Sequence, residues 1–142
     1  KNGKRFFACL LSVRESVRKG SFAMRYLWMD EYMLKKIGVS KHFKPKWQWN
    51  CYQVGGKMFA AFCSDKEGEP VLTLKCEPEH ARRLMEASPY IMPGYYMNKQ
   101  HWISVRLESP VTDQLLRELM DESYRLVYDK LPKYRKAEME SR

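Results

Sequence analysis

The stretch Gln48-Trp49-Asn50-Cys51-Tyr52-Gln53-Val54-Gly55-Gly56-Lys57-Met58-Phe59-Ala60-Ala61-Phe62-Cys63 decides the fold class. Two runs with two aromatic residues each, 48–54 and 57–63, flank a Gly-Gly pair. Two glycines supply the positive φ angles of a tight hairpin turn, so the stretch reads as two antiparallel strands. Residues 58–63 are apolar on both parities, which places that strand centrally, with both faces at least partly covered. Residues 65–70 form a polar turn. Residues 71–76 then alternate, with Leu72, Leu74 and Cys76 on one face and Thr73 and Lys75 on the other.

Helices frame these strands. Residues 26–37 read as a helix with Leu27, Leu34 and Ile37 in phase and Met33 beside them, closed by Gly38. Val39-Ser40 leaves it. Pro78 opens a second helix through Ala87, ended by Ser88-Pro89. Pro93-Gly94 turns the chain into residues 95–98. Residues 101–107 form a further strand, with Ile103, Val105 and Leu107 inward and Trp102, Ser104 and Arg106 opposite. Thr112 caps the last helix, Val111 and Leu116 occupy hydrophobic-staple positions, and Leu116, Leu119, Met120, Leu126 and Val127 form its apolar stripe. Pro132 ends it, and a frayed tail follows. The order α-β-β-β-α-β-β-α predicts an α+β two-layer sandwich: an antiparallel sheet with helices mainly on one face. The other face is expected to be partly open, carrying Thr73, Lys75, Trp102 and Arg106.

The 142 residues suit one domain, and the formal charge of +9 suggests a polyanionic partner. That charge is unevenly placed. Residues 1–23 hold Lys1, Lys4, Arg5, Arg14, Arg18 and Lys19 against Glu15. Residues 130–142 hold Lys130, Lys133, Arg135, Lys136 and Arg142 against Glu138 and Glu140, so the body between carries only +1. Within it, Lys35, Lys36, Lys41, Lys44 and Lys46 run without an acid, beside Phe43, Trp47 and Trp49. The Lys1–Arg5 start and the apolar residues 6–11 imitate a signal peptide, but the apolar run is short and no cleavage site follows. Residues 1–23 therefore read as an extension upstream of Met24, residues 24–132 as the domain, and 133–142 as a basic tail. No apolar run reaches the length of a membrane-spanning helix.

Catalytic templates are missing. Gly55-Gly56-Lys57 lacks the rest of a Walker A loop, and neither G-x-S-x-G nor H-E-x-x-H occurs. Cys9, Cys51, Cys63 and Cys76 show no C-x-x-C spacing, which argues against zinc and for reduced, buried thiols in a cytoplasmic protein. Residues 56–62 fall short of an RNA-binding RRM strand because the residue order is wrong. The densest polar-aromatic segment is Tyr95-Tyr96-Met97-Asn98-Lys99-Gln100-His101-Trp102. It reads either as a hairpin with a structural histidine or as a phosphate- and base-contacting loop.

Asp30-Glu31-Tyr32, Gly38-Val39, Phe43-Lys44-Pro45-Lys46-Trp47-Gln48-Trp49, Gly56-Lys57-Met58-Phe59-Ala60, the block from Pro93-Gly94-Tyr95-Tyr96 to His101-Trp102, and Asp121-Glu122-Ser123-Tyr124-Arg125-Leu126-Val127 together resemble the MmcQ/YjbR family. The resemblance spans about residues 24–132 and implies a frataxin-like (CyaY-like) sandwich in a small bacterial cytoplasmic DNA-binding protein. It supplies no catalytic residues. The frataxin kinship points toward iron, but here the acidic pair Asp30 and Glu31 precedes five lysines, which disfavours iron delivery.

The expectation is a non-enzymatic, monomeric domain without a cofactor, metal or membrane contact, binding DNA through phosphates with little sequence specificity. Its surface would combine Lys44, Lys46, Trp47, Lys57, Lys99, Trp102 and Arg106. Two alternatives stand beside it: a protein- or small-ligand-binding module using an aromatic sheet face, and an enzyme built around His101 and Asn98.

Overall fold

The computed structural model describes residues 22–94 and 97–141. The elements run α1 (Phe22–Leu34), β1 (Val39–Lys44), β2 (Trp49–Val54), β3 (Lys57–Ser64), β4 (Pro70–Lys75), α2 (Pro78–Ala87), β5 (Ile91–Pro93), β6 (Trp102–Arg106), α3 (Asp113–Tyr128) and α4 (Lys133–Glu140). The strands form one sheet in the order β1-β2-β3-β4-β6-β5, every pair antiparallel. This is the α+β architecture that the hairpin at Gly55-Gly56 foretold. The expected extension over residues 1–23 lies outside the described residues up to residue 21, as do Tyr95 and Tyr96.

Most of the core lies between the sheet and the helices. Met29, Met33, Tyr52, Phe59, Leu72, Leu74, Ile103, Val105, Leu116, Leu119 and Met120 interlock there, all fully buried. The α3 reading holds at the cap and along most of the stripe, except that Leu126 lies half-buried outside the core and the helix ends at Tyr128, ahead of Pro132. Thr112 Oγ1 accepts from Leu115 N at 3.1 Å, and Val111 and Leu116 are both buried. Ile103, Val105 and Leu107 point inward as their parity requires.

The α1 stripe differs. Met29 and Met33 are the buried pair, whereas Leu27, Leu34 and Ile37 are exposed. The segment is apolar around most of its circumference, so periodicity alone offered two competing faces. Aromatic anchoring selects one of them. Tyr26 packs on Phe62 with ring centroids 4.7 Å apart, and Tyr32 donates to Asp121 at 2.8 Å. At the helix start, Arg25 donates to the carbonyls of Leu107 and Ser109 at 3.0 and 3.1 Å.

Strand β1 is where a lysine-rich helix end and loop were expected. It is an edge strand paired along its whole length with β2. An edge strand with both faces near water needs no apolar alternation, so Val-Ser-Lys-His-Phe-Lys carries little strand signal. The short strand β5 ends at Pro93, whereas the sequence reading placed a turn at Pro93-Gly94 leading into 95–98. Residues 133–140 form α4, where a frayed tail was expected, and Met139 packs on the core. Gly38, at φ 76°, allows this approach: a Cβ there would sit 2.3 Å from Met139 Sδ.

Between β2 and β3 the register shifts at Tyr52/Gln53, where Tyr52 faces Ala60 and Gln53 faces Met58. Phe59 is the extra residue of a β-bulge, which turns both Phe59 and Ala60 toward the helices. Ser123 of α3 fills the gap this leaves. Its hydroxyl accepts from Lys75 N at 2.8 Å and donates to Phe59 O, bridging β4 to β3 through a fully buried side chain.

The second sheet face carries Thr73, Lys75, Trp102 and Arg106, as parity required. Much of it is closed. Trp49, Cys51, Ala61, Cys63 and Val71 form a separate buried cluster there, with Met58, Met92 and Met97 packed against it. Thr73 and Ser104 are also buried and share a hydrogen bond at 2.9 Å. The face is therefore an inner surface at its centre and open only in part, at Lys75, Trp102 and Arg106.

Candidate nucleic-acid interface

The sheet register sorts the seven predicted contact residues into two groups. Lys44, Lys46 and Trp47 lie at the β1–β2 connection. Lys57 opens β3 at the opposite end, paired with Val54, which in turn faces Val39. That puts it five residues along the strand direction from Lys44, roughly 17 Å at about 3.3 Å per residue. Lys99 lies in the connection entering β6 and Trp102 opens that strand, both at the same end as Lys57. One continuous surface does not form.

Arg106 shares a row with Lys44, running Lys44–Trp49, then Cys63–Val71–Arg106 on neighbouring strands. The row spans four strand spacings, about 19 Å. Arg106 is also already engaged. Its Nη2 lies 2.7 Å from Glu67 Oε2 and 3.3 Å from Asp65 Oδ2. Burial opposes its charge, but the hydrogen bond to Glu67 and the charges of Asp65, Glu67 and Glu69 outweigh this and raise its pKa. Asp65 in turn accepts from Glu67 N and Glu69 N at 2.9 and 3.0 Å, so the group braces the 65–69 turn. Arg106 is a turn brace rather than a free phosphate cation.

The β1–β2 end keeps its chemistry. Gln48 N and Trp47 N both donate to Lys44 O, at 2.7 and 3.1 Å, and Gln48 takes a positive φ of 60°. The tight turn lifts Trp47 over Trp49, with ring centroids 5.4 Å apart and planes at 36°. Trp49 is buried, while Trp47 remains 43% and Phe43 49% exposed. Lys46 Nζ stands 5.8 Å from the centroid of the Trp47 ring. Among the described residues, Lys44 and Lys46 take part in no ion pair. The neighbouring lysines do: Lys35 pairs with Glu31, Lys36 with Asp121 and Lys41 with Asp30. The five-lysine run thus reduces to two unpaired cations beside an exposed indole.

Asn98 and His101 form a turn. Asn98 Oδ1 accepts from Gln100 N at 2.9 Å and Asn98 O accepts from His101 N at 3.1 Å, with both residues exposed. A cleft of about 500 Å³ lies near Gly38, Gly56 and Arg135, and no Cys or His is among its lining residues. Cys51, Cys63 and Cys76 are buried. One cluster had no sequence signal. Cys76, at the end of β4, meets His80 of α2 and Glu122 of α3, residues up to 46 positions apart. Burial, with help from Glu122, pushes the Cys76 thiol up to about 12.

Comparison with known proteins places this architecture. The YjbR family model matches residues 34–126. YbdF of Escherichia coli O157:H7 is 38% identical over 86 residues, 61% of this chain and 70% of that protein. YjbR of Escherichia coli K12 is 28% identical over 102 residues, 72% of this chain and 86% of that protein. Among solved structures, Deinococcus radiodurans DR2400, a DUF419-domain protein, superposes with a TM-score of 0.70 at 30% identity, covering 78% of this chain and 84% of its own. A Pseudomonas syringae protein superposes with a TM-score of 0.60 at 27% identity, over 68% of this chain and 92% of its own. The family match runs from the end of α1 through the Ser123 bridge in α3, so the elements that build the sheet and brace its bulge are the matched ones: the chain belongs to the YjbR family.

Proposed function

We propose that this chain is a non-enzymatic DNA-binding protein whose contacts centre on the β1–β2 turn. Lys44 and Lys46 neutralise phosphates, and the exposed indole of Trp47 stacks on an unpaired base. The observation that carries the reading is the pairing of that indole, backed by buried Trp49, with two lysines that have no acidic partner. Phosphate contacts carry no sequence information, so the reading implies little base specificity. Against catalysis stands the state of the best nucleophile candidate, since a buried thiol with a raised pKa is the opposite of an activated one. Among the described residues no helix is long and apolar enough to cross a membrane.

Gel-shift titration with single-stranded and duplex DNA at two salt concentrations tests this. Binding should weaken with salt at a log-log slope of about −0.9 per phosphate contacted on duplex and about −0.7 on single strands. Trp47→Ala should cost about 1–3 kcal/mol on single strands. Lys44→Glu/Lys46→Glu should abolish the shift, while Lys57→Glu/Lys99→Glu should leave most of it. Absence of binding at low salt, or full binding by Lys44→Glu/Lys46→Glu, refutes the reading.

A further inference from the structure

Cys76, His80 and Glu122 arrive from three separate elements and bring three different donor atoms together. Cys76 Sγ lies 3.8 Å from His80 Nδ1 and 3.4 Å from Glu122 Oε2, and Nδ1 lies 2.5 Å from Glu122 Oε1. We infer that these side chains form a site for a divalent ion of the zinc class, held by Cys76 Sγ, His80 Nδ1 and a Glu122 oxygen.

The donor set makes the choice of ion. Magnesium and calcium take oxygen ligands, whereas a thiolate with an imidazole and a carboxylate suits zinc and its neighbours. Zinc bonds of about 2.0–2.3 Å place tetrahedral donors roughly 3–4 Å apart. Two of the three present separations already fall there. Only the His80–Glu122 contact has to open, by about one ångström, to admit the ion.

Each ligand is anchored behind its donor atom. Cys76 N donates to His101 O at 2.8 Å, fixing the strand end. Glu122 Oε2 accepts from Glu77 N at 3.1 Å, at the start of α2, where the Glu77 side chain makes no capping bond. Capping of α2 and an ion pair with His80 account for Glu122 in a purely structural role. They do not account for a thiol, only 1% exposed in its residue, being aimed at the same carboxylate. The His80 and Glu122 side chains are 34% and 22% exposed, which leaves a side open to solvent for a fourth ligand such as water. Beside Glu122 runs a cleft of about 420 Å³ lined also by Glu118, Asp121 and Asp129, with Arg125 as the cation of its lining and Lys36 paired to Asp121, so acids still outnumber bases. That balance of charge favours the approach of a cation.

Binding involves no redox change. The Cys76 S–H proton leaves to solvent, any proton on Nδ1 moves to Nε2 or to solvent, and the freed lone pairs bind the ion.

The test uses the full chain carrying Cys9→Ser, with Co²⁺ as the optical probe and Zn²⁺ as competitor. The expected result is a sulfur-to-cobalt charge-transfer band with tetrahedral visible bands, both displaced by Zn²⁺. The charge-transfer band should vanish in Cys76→Ser and persist in Cys51→Ser. Affinity should fall at least about tenfold in His80→Ala and Glu122→Gln. Circular dichroism melting establishes which variants are folded. His80 lies near the surface, so His80→Ala keeps the test decisive if Cys76→Ser does not fold. No cobalt band in the parent, a band that survives Cys76→Ser, or undiminished affinity in folded His80→Ala overturns the assignment.

Discussion

Replacing Ser123 by alanine would strip both hydrogen bonds that tie the bulged residue Phe59 of β3 to the end of β4. Lys75 N–H loses its acceptor at 2.8 Å, and Phe59 C=O loses its donor. Ser123 is 0% exposed, so solvent does not readily reach the orphaned groups. A buried main-chain group left without a partner costs about 1–3 kcal/mol. The carbonyl, with two lone pairs, is the more tolerant of the two, so the expected total is about 2–4 kcal/mol. The cavity contribution is small, because only one oxygen is removed. For a chain of this size, roughly 3 °C of Tm per kcal/mol gives a fall of about 6–12 °C. Urea unfolding followed by tryptophan fluorescence measures the loss directly, with an unchanged m-value showing that both end states keep their compactness. Ser141→Ala, on the exposed end of α4, should stay within about 0.5 kcal/mol. A loss below 0.5 kcal/mol for Ser123→Ala would refute the bridging role and mean that the bulge satisfies itself.

Three further outcomes follow from particular contacts. Gly38→Ala and Gly55→Ala should each destabilise by more than the ~1–2 kcal/mol of a left-handed alanine, since their Cβ atoms would meet Met139 Sδ at 2.3 Å and Leu131 Cδ1 at 2.6 Å. Gly56→Ala, at φ 82° with nothing within 4 Å, should show the backbone cost alone, and equal losses at all three positions would count against the packing argument. The Tyr128 hydroxyl, hydrogen-bonded to Glu140, has its ionisation pushed from 10.0 up to about 12, chiefly by that bond, then by burial and the charges of Glu140, Tyr124 and Asp129. Because the folded pKa is the higher one, this contact stabilises fully below pH 10 and is lost as the pH rises toward 12. Ultraviolet difference titration should therefore show one phenol transition moving down in Glu140→Gln, and an unchanged titration would show that α4 does not dock there. Tyr52→Phe removes the donor to Asp30 and, with Lys41 still paired to that carboxylate at 2.8 Å, should cost about 1–2 kcal/mol in the same urea assay.

How much of this the sequence disclosed depends on how local the physics was. The Gly55-Gly56 hairpin, the Pro78 helix start and the Thr112 cap are short-range events, and each appears where its residues placed it. The phase of α1 was not legible. Leu27 and Leu34 look as apolar as Met29 and Met33, and what separates them is a tyrosine contact with a strand some 36 residues away. Strand β1 was hidden for a different reason, because an edge strand draws its stability from pairing with β2 rather than from an apolar face. The basic surface failed as one unit because composition carries no sheet register, which sets Lys57 and Lys99 at the opposite end from Lys44 and Lys46, and the five-lysine run shrank because Asp30, Glu31 and Asp121 engage three of its members. The Cys76–His80–Glu122 group was invisible since Glu122 comes to it from another helix.

Strand β1 also bears on how copies of the chain behave toward each other. One side is joined to β2, and the other leaves a row of main-chain donors and acceptors unclaimed by any other strand among the described residues. Such a row is a template on which a second molecule could extend the sheet. Lys41 and Lys44 stand on opposite faces of this strand, and since Asp30 compensates Lys41, it is on the Lys44 face that an approaching copy would bring like charge against like charge. Solubility is then partly an electrostatic property of one six-residue segment. Salt that screens those charges lowers the barrier to strand-to-strand growth, so light scattering of concentrated protein should rise with ionic strength. The rise should come earlier in Lys44→Thr, which keeps the strand and removes a guard.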